Sequence, residues 1–168
     1  MEMEQRMERL MAAEASREEQ PLRRGKSTQA RASHWPRGVM MERVAYLKEM
    51  ARFSSGEAAD TVRDLQGHAA EMLYQSRASE PRLDGQHGYL FVVLAGAATL
   101  VSGGRLLGAR PLDASTLSGT EIEGGVAQRL AAGDIAYVAA GVAYRWRMEG
   151  EQSISCFALR IAQPPESE

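Results

Sequence analysis

Two hydrophobic rhythms divide this chain. Before about residue 54, apolar residues recur every three or four positions. Beyond His68 they alternate with polar ones or run together in short stretches. Met40, Val44, Leu47 and Met50 or Ala51 share one helical face, which predicts an amphipathic helix over 39–53 with Phe53 closing the stripe. Ser54-Ser55-Gly56-Glu57 has the Ser-x-x-Glu spacing of a capping box and predicts a short second helix over 56–65, ended by Gly67. Past His68, Met72, Tyr74 and Ser76 alternate with Leu73, Gln75 and Arg77. The stretch 89–94 is continuously apolar, and 97–101 continues it after Gly96. Gly103-Gly104 predicts a turn into a strand at 105–107. Further strands are expected at 126–130, 135–138, 142–146 and 153–161, the last with Ser155, Phe157, Leu159 and Ile161 on one face. The glycine-containing stretch 108–125 reads as a long loop with a short edge strand near 120–122. Many short strands separated by glycine turns specify a mainly β fold, a barrel or jelly roll, with an N-terminal helical extension.

The first 38 residues follow neither rhythm for long. Met3, Met7, Leu10 and Met11 have helical spacing in a Glu- and Arg-rich segment. That segment reads as a polar tail or, alternatively, as a helix that docks on a partner subunit. Pro21, Gly25, Pro36 and Gly38 break the next segment into a linker. Its basic residues, Arg23, Arg24, Lys26, Arg31 and Arg37, have only Trp35 as an aromatic companion, so a solvated linker is expected rather than a nucleic-acid contact. The expected organisation is a tail and linker over 1–38, a helical segment over 39–67, a barrel over 68–162 and a disordered end over 163–168, where Pro164-Pro165 falls.

Charge and composition narrow the function classes. A net charge of −2 over 168 residues offers no overall field for nucleic acid or an anionic membrane. No apolar run approaches the roughly 18 residues needed to span a bilayer. The opening Met1-Glu2-Met3-Glu4-Gln5-Arg6 has no signal-peptide apolar core, and a single cysteine, Cys156, cannot build a disulfide framework. A cytoplasmic protein is expected.

Gly133-Asp134, Gly141 and Tyr144 carry a specific spacing: Gly, five residues, Ala139, one residue, Gly, two residues, Tyr. This resembles the second motif of the cupin superfamily, with Ala139 at its proline and Tyr144 at its metal-binding histidine. Gly96 matches the closing glycine of the first motif, which places Tyr89 at the glutamate ligand and Arg82-Leu83-Asp84-Gly85 where the histidines would fall. The runs 98–104 and 122–125 are similar to small bacterial single-domain cupins. The resemblance implies a small β-barrel that pairs as a homodimer, and it implies departure from the usual metal chemistry. The chain's histidines are His34, His68 and His87, and His87 with Asp84 or Glu80 is the one weak oxygen-rich set left. No metal and no other cofactor is therefore expected.

A barrel without a metal either fills with side chains or holds one ligand. Tyr74, Tyr89, Tyr137, Tyr144 and Trp146 are candidates for such a lining, because each joins apolar area to a polar group. Arg77, Arg82, Arg145, Arg147 and Arg160 are candidate anion clamps, with Arg145 and Arg147 on the strand face opposite Tyr144 and Trp146. Cys156 reads as a small core residue. The first expectation is a metal-independent protein that binds a small organic molecule through Tyr74, Arg77, Tyr89, Tyr144 and Trp146, with His87 at the rim. The second is an isomerase, cyclase or lyase with His87 or Tyr144 as general acid/base. The third is a structural role in oligomerisation. No nucleic-acid or membrane partner is expected.

Overall fold

The first described element is a helix, α1 (Arg37–Ala51). The structure is a computed structural model that describes residues 33–64 and 68–163. The chain divides into two compact units, Met1–Pro36 and Arg37–Glu168, and the description below concerns the second. The expected helix or tail before residue 33, the stop at Gly67 and the end after 163 lie outside the described residues.

The buried stripe of α1 is Met40, Arg43, Leu47 and Ala51. It is rotated from the expected one: Arg43 takes the inward place assigned to Val44, and Met50 is 45% exposed. The rotation is stabilised by an ion pair, because Arg43 Nη1 lies 2.7 Å from Asp60 Oδ2. Phe53 does not close the stripe; it is 86% exposed, beyond the tight turn that ends the helix.

The capping box does not start a helix. Ser54 Oγ donates to the Glu57 carbonyl at 2.6 Å, Gly56 turns the chain with φ 89°, and residues from Glu57 form strand β1 (Glu57–Asp64). β1 pairs antiparallel with β2 (Ala69–Gln75) from Glu57↔Gln75 to Asp64↔Ala69. Pairing along a whole strand supplies more backbone hydrogen bonds than one cap, so the tertiary partner overrides the local signal.

The remaining strands are β3 (Arg82–Asp84), β4 (His87–Ser102), β5 (Arg105–Leu107), β6 (Arg110–Pro111), β7 (Thr116–Ser118), β8 (Glu121–Glu123), β9 (Val126–Ala131), β10 (Ile135–Val138), β11 (Tyr144–Arg147) and β12 (Ile154–Ala162). The expected long loop over 108–125 thus holds three short strands, and β5 and β8 form a separate two-stranded ribbon. The main sheet runs β1-β2-β12-β4-β11-β3-β7-β6, with β9 and β10 also paired to β4.

β4 joins the two halves of the barrel. Before Gly96 it pairs with β12 and β10; after Gly96 it pairs with β11 and β9. Gly96 has φ 76°, and a Cβ there would collide with the Ser153 carbonyl oxygen, so this kink requires glycine. The barrel interior is filled by Phe91, Val93, Ala98, Leu100, Val138, Trp146, Ile154, Cys156 and Ala158. Ile154, Cys156 and Ala158 alternate inward, so Phe157 and Leu159 take the opposite face of β12, while the register shift at Ser155/Cys156 leaves Leu94 of β4 as the extra residue. α1 packs on β1 and β2. Ala70, Met72 and Tyr74 are buried on the alternate face of β2 from the barrel-facing Leu73.

Candidate functional site

One end of the barrel interior is open, as a cavity of about 440 Å³. Its apolar wall comes from two strands. β4 contributes Tyr89 and Phe91; β11 contributes Tyr144 and Trp146. The rings form one continuous surface. Tyr89 stacks on Phe91 at 5.8 Å and 9°, Tyr144 lies 5.7 Å from Tyr89, and Trp146 meets Phe91 edge-on at 5.2 Å. Such offset and edge contacts are the favoured aromatic geometries.

The facing wall is polar. Glu71, Leu73 and Gln75 alternate inward from β2, Arg160 comes from β12, and Asp84 ends β3. Burial raises the Glu71 carboxyl above its ordinary value, while Arg160 and then His87 pull it back. Arg160 forms no hydrogen bond or ion pair among the described residues, and its Nε is buried without a partner. Burial, with the charges of Asp84 and Glu71, pushes the Tyr89 hydroxyl up to about 12. Burial and the neighbouring Tyr89 push the Tyr144 hydroxyl up as well. Both remain phenols at neutral pH and are able to donate hydrogen bonds.

Asp84 organises the corner between β3 and β4. Its buried carboxylate accepts the amides of Gln86 (2.9 Å) and His87 (3.0 Å), pairs with His87 Nδ1 at 3.0 Å, and takes a longer contact from the Tyr89 hydroxyl at 3.4 Å. Its carbonyl accepts the Gly141 amide at 2.7 Å, which ties the second motif to this corner.

The expected site residues separate on this frame. Tyr89, Tyr144 and Trp146 line the cavity together. Tyr74 borders it but belongs with Met72 on the helix-facing side of β2. Arg77 is exposed, does not line the cavity, and lays its stem against Gly56. His87 stands behind Asp84 rather than in the lining, its side chain 19% exposed. Tyr137 is 54% exposed, and its hydroxyl accepts from Gln163. Among the arginines, Arg82 borders the cavity and pairs with Glu57 at 3.7 Å. Arg145 opens onto a groove lined also by Glu80 and Arg110, and Arg147 is exposed. Cys156 is a core residue whose thiol burial pushes up to about 12. Glu71 is the residue that sequence reasoning passed over. Its signal was its being the one charge in β2, a strand enclosed on both faces.

The donor set does not fit the metal that a cupin resemblance implies. Among the described residues no three His, Cys, Asp or Glu side chains converge. The ligand positions hold phenols that resist ionisation, Asp84 is engaged by His87, and Glu80 is turned to Ser118 (2.8 Å) and Arg110 (3.1 Å).

A kinked central strand shared by the two halves of a curled antiparallel sheet, with a cavity at one end, defines a cupin-like double-stranded β-barrel. Solved structures are similar to about two thirds of this chain at low identity. A protein with a double-stranded beta-helix domain from Klebsiella pneumoniae is 13% identical, with 65% of this chain and 79% of that one covered and a TM-score of 0.48. A cupin-2 domain from Rhodospirillum rubrum is 9% identical over 66% and 63%, with a TM-score of 0.47. The polyketide cyclase RemF from Streptomyces resistomycificus is 11% identical over 66% and 68%, with a TM-score of 0.46. No protein-family model matches the sequence, and no curated protein matches it. Among the described residues no helix is long and apolar enough to cross a membrane.

Proposed function

We propose that this protein binds a small organic molecule in the barrel cavity without a metal. The observation that carries the reading is the cavity itself: about 440 Å³, with an unbroken aromatic wall facing polar groups that include a buried Arg160 Nε without a partner among the described residues. Pockets of this size with few convergent polar groups are the usual form of small-molecule sites. Metal independence is supported by the phenols at the ligand positions. The test is a fragment screen by ligand-observed NMR on metal-stripped protein, with elemental analysis of the protein as purified. Fragments that bind the metal-stripped protein and are lost on filling the cavity with Ala59→Trp support the reading. A stoichiometric transition metal whose removal abolishes fragment binding overturns it. A cytoplasmic homodimer is the accompanying expectation, and mass measurement in solution tests the dimer.

A second reading, acid–base turnover of the bound molecule, is favoured by one observation. Glu71 is a carboxyl in the lining whose affinity for protons is raised by burial, so it is better suited than His87, which Asp84 holds outside the lining. Deuterium entering a bound ligand in D2O, and lost in Glu71→Gln, would establish turnover. No exchange would leave binding alone.

A further inference from the structure

The cavity contains a guanidinium that makes no hydrogen bond or ion pair among the described residues. Arg160 projects from the inner face of β12 next to Glu71, yet it pairs with neither Glu71 nor any other described carboxylate. Its cross-strand neighbours are Ala69 on β2 and Tyr89 on β4. Ala69 is too small to cover the guanidinium, and Tyr89 begins the aromatic wall. The buried Arg160 Nε is left unsatisfied among the described residues, and an anion in the cavity would complete it.

We infer that the ligand is a small carboxylic acid with a planar apolar body, its carboxylate held by the Arg160 guanidinium and its body laid on Tyr89, Phe91 and Tyr144. This rests on the reading of the cavity as a small-molecule site. The charge balance selects a monoanion. Arg82, the other cation at the cavity, is already paired with Glu57, and the lining carboxylates Glu71, Glu80, Asp84 and Asp113 oppose a dianionic phosphate about twice as strongly as a monoanion. One free guanidinium matches one carboxylate, which it forks with two parallel hydrogen bonds. The Tyr144 hydroxyl, which has no hydrogen-bond partner among the described residues, is placed to donate to a further polar atom of the ligand.

The experiment is ¹⁹F ligand-observed NMR with 4-fluorobenzoate, 4-fluorobenzamide and 4-fluorophenyl phosphate on the full chain and on Arg160→Gln and Arg160→Lys. The benzoate is expected to bind at least about tenfold more tightly than the amide. Arg160→Gln is expected to remove that preference while leaving the amide within about twofold, and Arg160→Lys to keep part of it, because the charge survives without the fork. Equal binding of acid and amide overturns the inference, and so does an acid preference that persists in Arg160→Gln. Tighter binding of the phosphate overturns the monoanion assignment. If none of the three binds, the inference fails, while the cavity reading is decided separately by the fragment screen. Melting curves of both variants establish that they fold, and Arg160→Lys carries the test if Arg160→Gln does not.

Discussion

Two arginines approach the same sheet from opposite faces, and their surroundings differ. Arg43, on α1, is buried against β1 and β2 with its guanidinium 2.7 Å from Asp60. Arg160, on the barrel side, has a buried Nε without a partner and no ion pair among the described residues. The first is a charge that the fold completes; the second is a charge that the fold leaves open to a cavity. The comparison separates architecture from site by a physical criterion. A satisfied buried ion is part of the packing, whereas an unsatisfied one costs stability and marks a place kept for something else.

The largest way to disturb the comparison is to damage the sheet that both arginines share. Phe91 is fully buried and touches Tyr89, Tyr144 and Trp146. Phe91→Ala is expected to cost about 3–5 kcal/mol in urea unfolding; a loss below about 1 kcal/mol would mean that the aromatic wall is not packed as described.

The arginines themselves come next. Arg43→Ala is expected to lose about 2–3 kcal/mol by leaving Asp60 unpaired, discounted for the partial exposure of that carboxylate. Arg160→Gln is expected to change stability by no more than about 0.5 kcal/mol or to raise it. Equal losses in the two variants would dissolve the distinction.

Glu71→Gln sharpens the barrel side. The folded carboxyl is raised above its ordinary value of 4.5, so the folded state binds more protons than the unfolded state between the two values. Stability therefore falls as pH rises through that window. Glu71→Gln is expected to be more stable than the parent at pH 7, with the difference closing as pH falls and gone below 4.5. A difference that does not vary with pH would remove burial of the charge as the cause. The smallest effect is expected for Tyr144→Phe, within about 0.5 kcal/mol, because the lost hydroxyl has no hydrogen-bond partner among the described residues. A clear loss would reveal a structural partner for that hydroxyl.

The barrel was legible in the sequence for identifiable reasons. The Gly-Asp of the second motif is a turn written in local chemistry. Gly133 takes φ 97°, and the Asp134 carboxylate accepts the Ala131 amide at 2.8 Å, so both residues are required where they stand. Gly96 marks the kink of β4 in the same way. The helix expected over 56–65 failed because a four-residue spacing competes poorly with a full antiparallel partner. The helix stripe was rotated because an inward Arg43 is acceptable only once Asp60 is known to face it, and β1 was not foreseen as a strand. The site divides along the same line. Motif spacing singled out Tyr89 and Tyr144, which lie 5.7 Å apart. Arg160 appeared only as one of five arginines, and Glu71 not at all.

What the sequence alone determined is what depends on near neighbours: strand periods, the glycine positions that only positive φ can fill, and the absence of histidines at the motif positions. Only the tertiary structure decided which face of each strand is enclosed, because alternation divides β2 and β12 into two faces without naming the inner one. That choice is made by α1 covering one side and the barrel closing over the other. It places Glu71 and Arg160 in the cavity, and it leaves Arg160 without an ion pair among the described residues.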